Sequence, residues 1–339
     1  MLLALASTAS EITPVPRGPS LETQVILWTF LAAGFLFLVF WGIRAAMGKG
    51  SFAPPSPLLV PPEPVPFPGG PSAPLPPPLP FGAGGDPPAT RLERFFKVPV
   101  AHYRLFDLPL IGLVFLLYCG LTAGGSGGGE PIPLEEKFKP EVLLASIFFQ
   151  LLLMGMACAF VVRRIKQSEW LGLRWKQWWL VFAIAPLTVF FVWFVLLVTH
   201  LSGWNGWLER TLGIESMQES VKLLQEAKDP MVIILMAVAA VLVAPLAEEV
   251  VFRGYLYPAA KRFCGPYGAM VFSSLVFAAA HGNVVALVPL FVLAMLLCLI
   301  YELTGSIWAN ISVHLLFNAA TVALQLMARY GIVDISTPS

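Results

Sequence analysis

Five ionisable side chains and one carboxamide crowd the last third of the chain: Glu248, Glu249, Arg253, His281, His314 and Asn318. They lie in or against apolar runs, where ionisable groups are costly and mark a candidate site. Residues 231–247, MVIILMAVAAVLVAPLA, carry no charge at all before AEEVVFRGYLYP begins. Glu249 and Arg253 stand four residues apart, so they share a helix face and can pair. Glu248 is rotated by about 100° from Glu249 on a regular helix, which leaves it free to point elsewhere. His314 and Asn318, in HLLFN, are again four apart, and His281 closes the stretch FAAAH.

A free glutamate beside a histidine at low dielectric can hold a water and deprotonate it. Imidazole N–H and the Asn318 amide are donors suited to an oxyanion forming on an attacked carbonyl. Together they suit water-driven hydrolysis of an amide bond. Glu248, His281 and His314 are equally a zinc ligand set with an open fourth position, although the H-E-x-x-H helix of many metalloproteases is missing. No serine or cysteine arrangement suggests a covalent nucleophile. The competing structural readings are that the glutamates mark the end of a span and that His314 and Asn318 form a hydrogen-bonding stripe between helices. Depth argues for a shared site. At 1.5 Å per residue Glu248, His314, Asn318 and His281 fall roughly 13, 14, 20 and 21 Å from their helices' cytoplasmic ends, within one layer given boundary error.

The elements that must position these groups are membrane helices. The chain is 57% hydrophobic and 12% charged, against about 25% charged for a soluble domain. The expected fold is an all-α polytopic membrane protein with about eight transmembrane helices, near 25–43, 106–123, 141–162, 178–199, 231–252, 266–281, 284–303 and 306–327. With the N-terminus outside, fourteen basic residues fall on the cytoplasmic side and seven opposite, the usual positive-inside bias. Residues 44–105 are then cytoplasmic. Net charge of +1 points to no partner, and nothing supports nucleic-acid binding. Cysteines 119, 158, 264 and 298 form no C-x-x-C pair and read as small packing residues. His102 and His200 sit at span ends, and the opening MLLALASTAS lacks the basic start of a signal peptide.

Residues 51–90 hold sixteen prolines and five glycines, a composition that favours solvated polyproline II over helix or sheet. This divides the chain into an N-terminal segment with an anchor helix (1–50), a disordered linker (51–90) and a multi-span domain (91–339). The linker serves as a spacer, or as a docking site for a proline-recognising partner.

The ordered motifs EEVVFR, FAAAH and HLLFN, with RGYLY following the arginine, resemble the CPBP family of intramembrane proteases. This family includes the type II CAAX prenyl endopeptidases, bacteriocin-processing and immunity proteins, and lysostaphin-resistance-protein-A-like proteins. The resemblance covers roughly 140–327 and is tightest over 245–320. It implies that Glu248 activates water with His281 assisting, that His314 and Asn318 stabilise the oxyanion, and that Glu249 and Arg253 hold the motif helix. The family has been described both as metalloprotease and as glutamate-dependent without a catalytic metal. We expect an intramembrane endopeptidase that requires no cofactor, with zinc on Glu248, His281 and His314 as the alternative. It would act on a membrane-tethered or lipidated peptide or protein in the lipid bilayer, in the plasma membrane of a prokaryote. The alternatives are a non-catalytic immunity or scaffold protein and a proton-coupled transporter, for which no matching second half is visible.

Overall fold

The computed structural model describes residues 20–49, 96–124, 139–213, 224 and 227–333. The proline-rich stretch 51–90 and the first nineteen residues lie outside them. The described residues form helices and no strand. In order these are α1 (Leu21–Ala46), α2 (Asp107–Gly124), α3 (Pro140–Val161), the short α4 (Gln167–Trp170), α5 (Val181–Leu201), α6 (Trp204–Leu212), α7 (Pro230–Val238), α8 (Ala244–Glu248), α9 (Tyr257–Ala280), α10 (Leu287–Thr304) and α11 (Ile307–Arg329). Two π-helical stretches, Ala239–Val243 and Glu249–Leu256, join α7, α8 and α9 into one continuous element.

Local chemistry sets the ends. Asp229 accepts from the Met231 amide at 2.8 Å, with Pro230 in the first turn, where a missing N–H costs nothing. Ser306 caps α11 through Trp308 N–H, and Gly305 closes α10 in the left-handed region at φ 68°. Large apolar side chains face outward along the helices, among them Trp28, Phe35, Leu116, Phe148, Phe182, Leu187 and Phe190. Among the described residues six helices are long and apolar enough to span a bilayer. One of these, Pro230–Ala280, is 51 residues long and covers two of the eight expected spans, and the shorter apolar Asp107–Ala123 covers another. The protein is an all-α polytopic integral membrane protein.

One expected boundary moves and another holds. The fifth span does not end near residue 252: every residue from Glu249 to Lys261 is buried, and the helical path continues to Gly265. There the backbone leaves helical geometry at φ 79°, ψ 173°, next to Pro266, a conformation open essentially to glycine alone. Lys261, a residue type common at membrane boundaries, is fully buried here and ion-paired with Glu302. His281-Gly282-Asn283 is a tight turn, with Gly282 at φ 66° and Asn283 Oδ1 accepting from Ala286 N–H at 2.8 Å.

The first helix is more than a tether. Ile26, Phe30, Ala33 and Phe37 are buried in the main core with Phe272 and Phe277 of α9. Phe40 lies so close to Gly268 that a β-carbon there would come within 2.7 Å of its Cβ and Cγ. A second core joins α5, α10 and α11 through Val192, Leu293, Leu297 and Val313, and a third joins α3, α7 and α11.

Candidate active site

The site is built where the continuous α7–α9 element faces α10 and α11. Two prolines explain its irregular helix. Pro245 and Pro258 each follow a π-helical stretch by two residues. Proline supplies no N–H and crowds the carbonyl four residues back, so the turn before it widens to i→i−5 bonding. Ala244 N–H bonds Ala239 O in this way, and Tyr257 N–H bonds Phe252 O. Such π turns are frequent at functional sites.

Glu249 and Arg253 emerge from the second stretch fully buried and joined at 2.8 Å. Arg253 also donates to Ala294 O at 3.3 Å, and its guanidinium lies 4.5 Å from the centre of the Phe277 ring. The same Glu249 oxygen receives His314 Nδ1 at 2.9 Å, while its other oxygen receives Asn310 Nδ2 at 3.3 Å. An ionised carboxylate only accepts, so Nδ1 of His314 carries the proton in that bond. Nε2 then points the other way, 3.9 Å from Glu248 Oε2. That gap is too long for a hydrogen bond. Glu248 Oε2 is buried and makes no hydrogen bond among the described residues, although the Glu248 side chain is 22% exposed. One glutamate is therefore locked by arginine, histidine and asparagine, and its neighbour is partly open and uncommitted.

Asn318 lies one turn beyond His314 and donates to Ala240 O at 2.8 Å. In the π register that carbonyl would look for the N–H of residue 245, which is proline. One amide hydrogen of Asn318 is thus spent on the helix, and the second is left for other work. His281 stands at the end of α9, exposed, with Nδ1 2.8 Å from Phe277 O. Among the described residues no hydrogen bond or ion pair joins it to Glu248 or His314. It shares an aromatic neighbour with the cluster instead: the Phe277 ring centre is 4.8 Å from the His281 ring and 5.8 Å from that of His314.

Sequence reasoning passed over Asn310, which is fully buried and bonded both to Glu249 and to Leu297 O. Its signal was present in the spacing, since Asn310, His314 and Asn318 recur every fourth residue on one face of α11. Tyr118 of α2 was also missed. It packs on Phe252 at 5.1 Å between ring centres and lies within electrostatic reach of Glu248. Among the described residues no three His, Cys, Asp or Glu side chains are gathered as a metal site. Glu248, His281 and His314 are thus not gathered into a zinc set among the described residues.

Residues 230–320 match the family model described as type II CAAX prenyl endopeptidase Rce1-like. The curated protein named "Putative membrane peptidase YdiL", from Bacillus subtilis (strain 168), is 28% identical over 92 residues, covering 27% of this chain and 38% of that protein. No solved structure matches the chain. The matched segment starts with α7 and ends in α11, so it contains every residue of the cluster just described except Tyr118 of α2. The resemblance read from the three motifs thus holds over this segment, and the comparisons support a membrane protease.

Proposed function

We propose, from the Rce1-like character of residues 230–320, that the protein is an intramembrane endopeptidase using a Glu248-activated water. The observation that carries the reading is the division of labour between adjacent carboxylates: Glu249 is held by Arg253, Asn310 and His314, and Glu248 Oε2 faces His314 Nε2 across 3.9 Å without a bond of its own. That separation suits a water hydrogen-bonded to both groups.

In the step this supports, Glu248 takes a proton from the water as its oxygen attacks the peptide carbonyl carbon. The carbonyl π pair moves onto oxygen. Donation to the oxyanion requires His314 as the imidazolium, its Nδ1–H held by Glu249 and its Nε2–H turned to the oxyanion, with the second amide hydrogen of Asn318 as the other donor. The proton on Glu248 then passes to the leaving nitrogen as the C–N bond breaks, giving a new carboxyl and a new amine. Glu249 and Arg253 set the orientation of His314. His281, next to the Phe277 ring, assists at the mouth of the site, where a substrate would bring it into play.

The substrate class is a short hydrophobic, leader or lipidated peptide segment tethered to the bilayer, with cleavage behind a prenylated cysteine as the special case. The setting is a prokaryotic plasma membrane with the N-terminus outside. The test is to offer the lipid-reconstituted protein a library of membrane-tethered peptides, with and without chelator, and to identify products by mass spectrometry. Cleavage that survives chelation supports the reading. Loss of cleavage on chelation, restored by zinc, overturns the metal-free mechanism. A parent protein that cleaves nothing turns the assignment to a non-catalytic scaffold.

A further inference from the structure

The π-helical stretch that carries Glu249 and Arg253 is held from outside by two side chains that no motif marks. Gly254 lies four residues before Pro258, so in an α-helical register its carbonyl would look for an N–H that proline lacks. Tyr103 Oη donates to this carbonyl at 2.8 Å, and Trp170 Nε1 reaches it at 2.8 Å as well. The two donors also touch each other, Trp170 Nε1 lying 3.0 Å from Tyr103 Oη. Both residues are 1% exposed. Gly254 permits the approach: a β-carbon there would stand 3.4 Å from Trp170 Cζ2 and 3.0 Å from Leu171 Cδ2.

The two donors are themselves braced from distant parts of the chain. Tyr103 belongs to the segment 96–103 that leads into α2, which Val98 pins at both ends of its peptide: its N–H donates to Glu302 Oε2 at 3.0 Å, and its carbonyl accepts from Lys261 Nζ at 3.1 Å. Trp170 ends α4, where its carbonyl accepts from Tyr301 Oη at 3.0 Å and the next carbonyl, Leu171 O, accepts from Ile307 N–H at 2.9 Å. Gly172 then meets Gly305 backbone to backbone, so closely that a β-carbon would fall 1.7 Å from Gly305 O. A helix end that needed only a hydrogen-bond donor would not require a donor pair anchored to α9, α10 and α11 at once.

We propose that Tyr103 and Trp170 are positioning residues of the active site. By capping the Gly254 carbonyl they hold Glu249–Leu256 in the π register, in which Glu249 and Arg253 face His314 while Glu248 stays uncommitted. The inference rests on the endopeptidase reading for its kinetic consequence, but its structural consequence is independent: the His314–Glu249 bond should loosen when the cap is removed.

The test uses full-length protein in lipid nanodiscs with Tyr103→Phe, Trp170→Phe and the double substitution, all of which keep aromatic bulk while deleting donors. The first readout is the nitrogen and proton NMR signature of histidine-labelled protein. The His314 Nδ1–H resonance, assigned by its loss in His314→Gln, is expected to shift or broaden in each single variant and most in the double one. The second readout is cleavage of a membrane-tethered peptide, where kcat is expected to fall by roughly tenfold in the double variant, the scale of one lost hydrogen bond, with KM unchanged. Because both donors serve one carbonyl, the two single losses should not add. An unchanged His314 signature in Tyr103→Phe, or a double variant with the parent's kcat, overturns the positioning role. If the double variant fails to fold, the single Tyr103→Phe signature decides. A parent protein that cleaves nothing removes the endopeptidase reading, and the NMR result still decides the positioning claim.

Discussion

Replacing Arg253 with methionine would leave the carboxylate of Glu249 inside the protein without its guanidinium. Both side chains are 0% exposed, so no water takes over the lost contact. Removing one partner of a buried ion pair costs about 3–5 kcal/mol. Here His314 Nδ1 at 2.9 Å and Asn310 Nδ2 at 3.3 Å still serve Glu249, which places the expected loss near the lower end, about 3 kcal/mol. Methionine also gives up the bond to Ala294 O and the contact with the Phe277 face, while keeping most of the arginine stem's packing. The control is Arg253→Met combined with Glu249→Gln, which removes both charges. Neighbours in one network show coupling energies of about 0.5–3 kcal/mol, and this pair should sit in the upper half of that range. Reversible unfolding in mixed detergent micelles, run as a double-mutant cycle, measures it. Additive effects of the two substitutions would refute the claim that the pair is coupled and desolvated. The double variant is expected to recover stability without recovering peptide cleavage, since His314 then lacks its carboxylate.

Other consequences follow from particular contacts. Asn310→Leu deletes donors to Glu249 Oε2 and Leu297 O, and should lower stability by about 1–3 kcal/mol and slow cleavage, as read by unfolding and by kcat. Gly268→Ala forces a β-carbon to within 2.7 Å of Phe40; it should push α1 off α9 at a cost of about 1–3 kcal/mol, visible as new cross-linking or protease access along α1. His102, just before α2, has its pKa lowered from 6.5 to about 4, chiefly by burial, with Asp107 opposing and Arg164 adding to the shift. The folded protein thus keeps this imidazole neutral where the unfolded chain takes up a proton, so its contribution is complete above pH 6.5 and is lost as pH falls toward about 4. Thermal unfolding followed across that window should show the parent losing stability more steeply than His102→Gln, and parallel curves would exclude this residue as a source of the acid sensitivity.

Much of the membrane architecture could be read from hydropathy, because a spanning helix needs a long apolar run whatever it packs against. The division between Glu249 and Glu248 could be read too, since a four-residue spacing to Arg253 fixes which carboxylate shares its face. What could not be read was orientation within the bundle. Helices such as α2 and α3 are apolar all round, so no polar face announces which side packs inward, and the inclusion of α1 in the core came only with the structure. The π register was also hidden. Pro245 and Pro258 signal a broken ladder, but a kink, an end and a π turn all answer a proline. The continuation to Gly265 was missed because Lys261 looks like a membrane boundary until its partner, Glu302, is seen buried beside it. Glu302 is 41 residues from Lys261, and Tyr103 is 151 residues from the carbonyl that it caps. No local pattern encodes such pairings. Asn310 is different: its four-residue step to His314 was visible, and it was overlooked because an uncharged residue in an apolar span draws less attention than an ionisable one.

In the proposed mechanism Glu248 is the base that activates water. The most direct measurement is single-turnover cleavage of a membrane-tethered peptide by the parent and by Glu248→Gln, in the same nanodiscs and with folding verified. Glutamine keeps the size and loses the basicity. Loss of that base should lower the rate by roughly 10²–10⁴-fold, the range for a lost general base, with peptide affinity unchanged. Cleavage by Glu248→Gln at the parent's rate would contradict it.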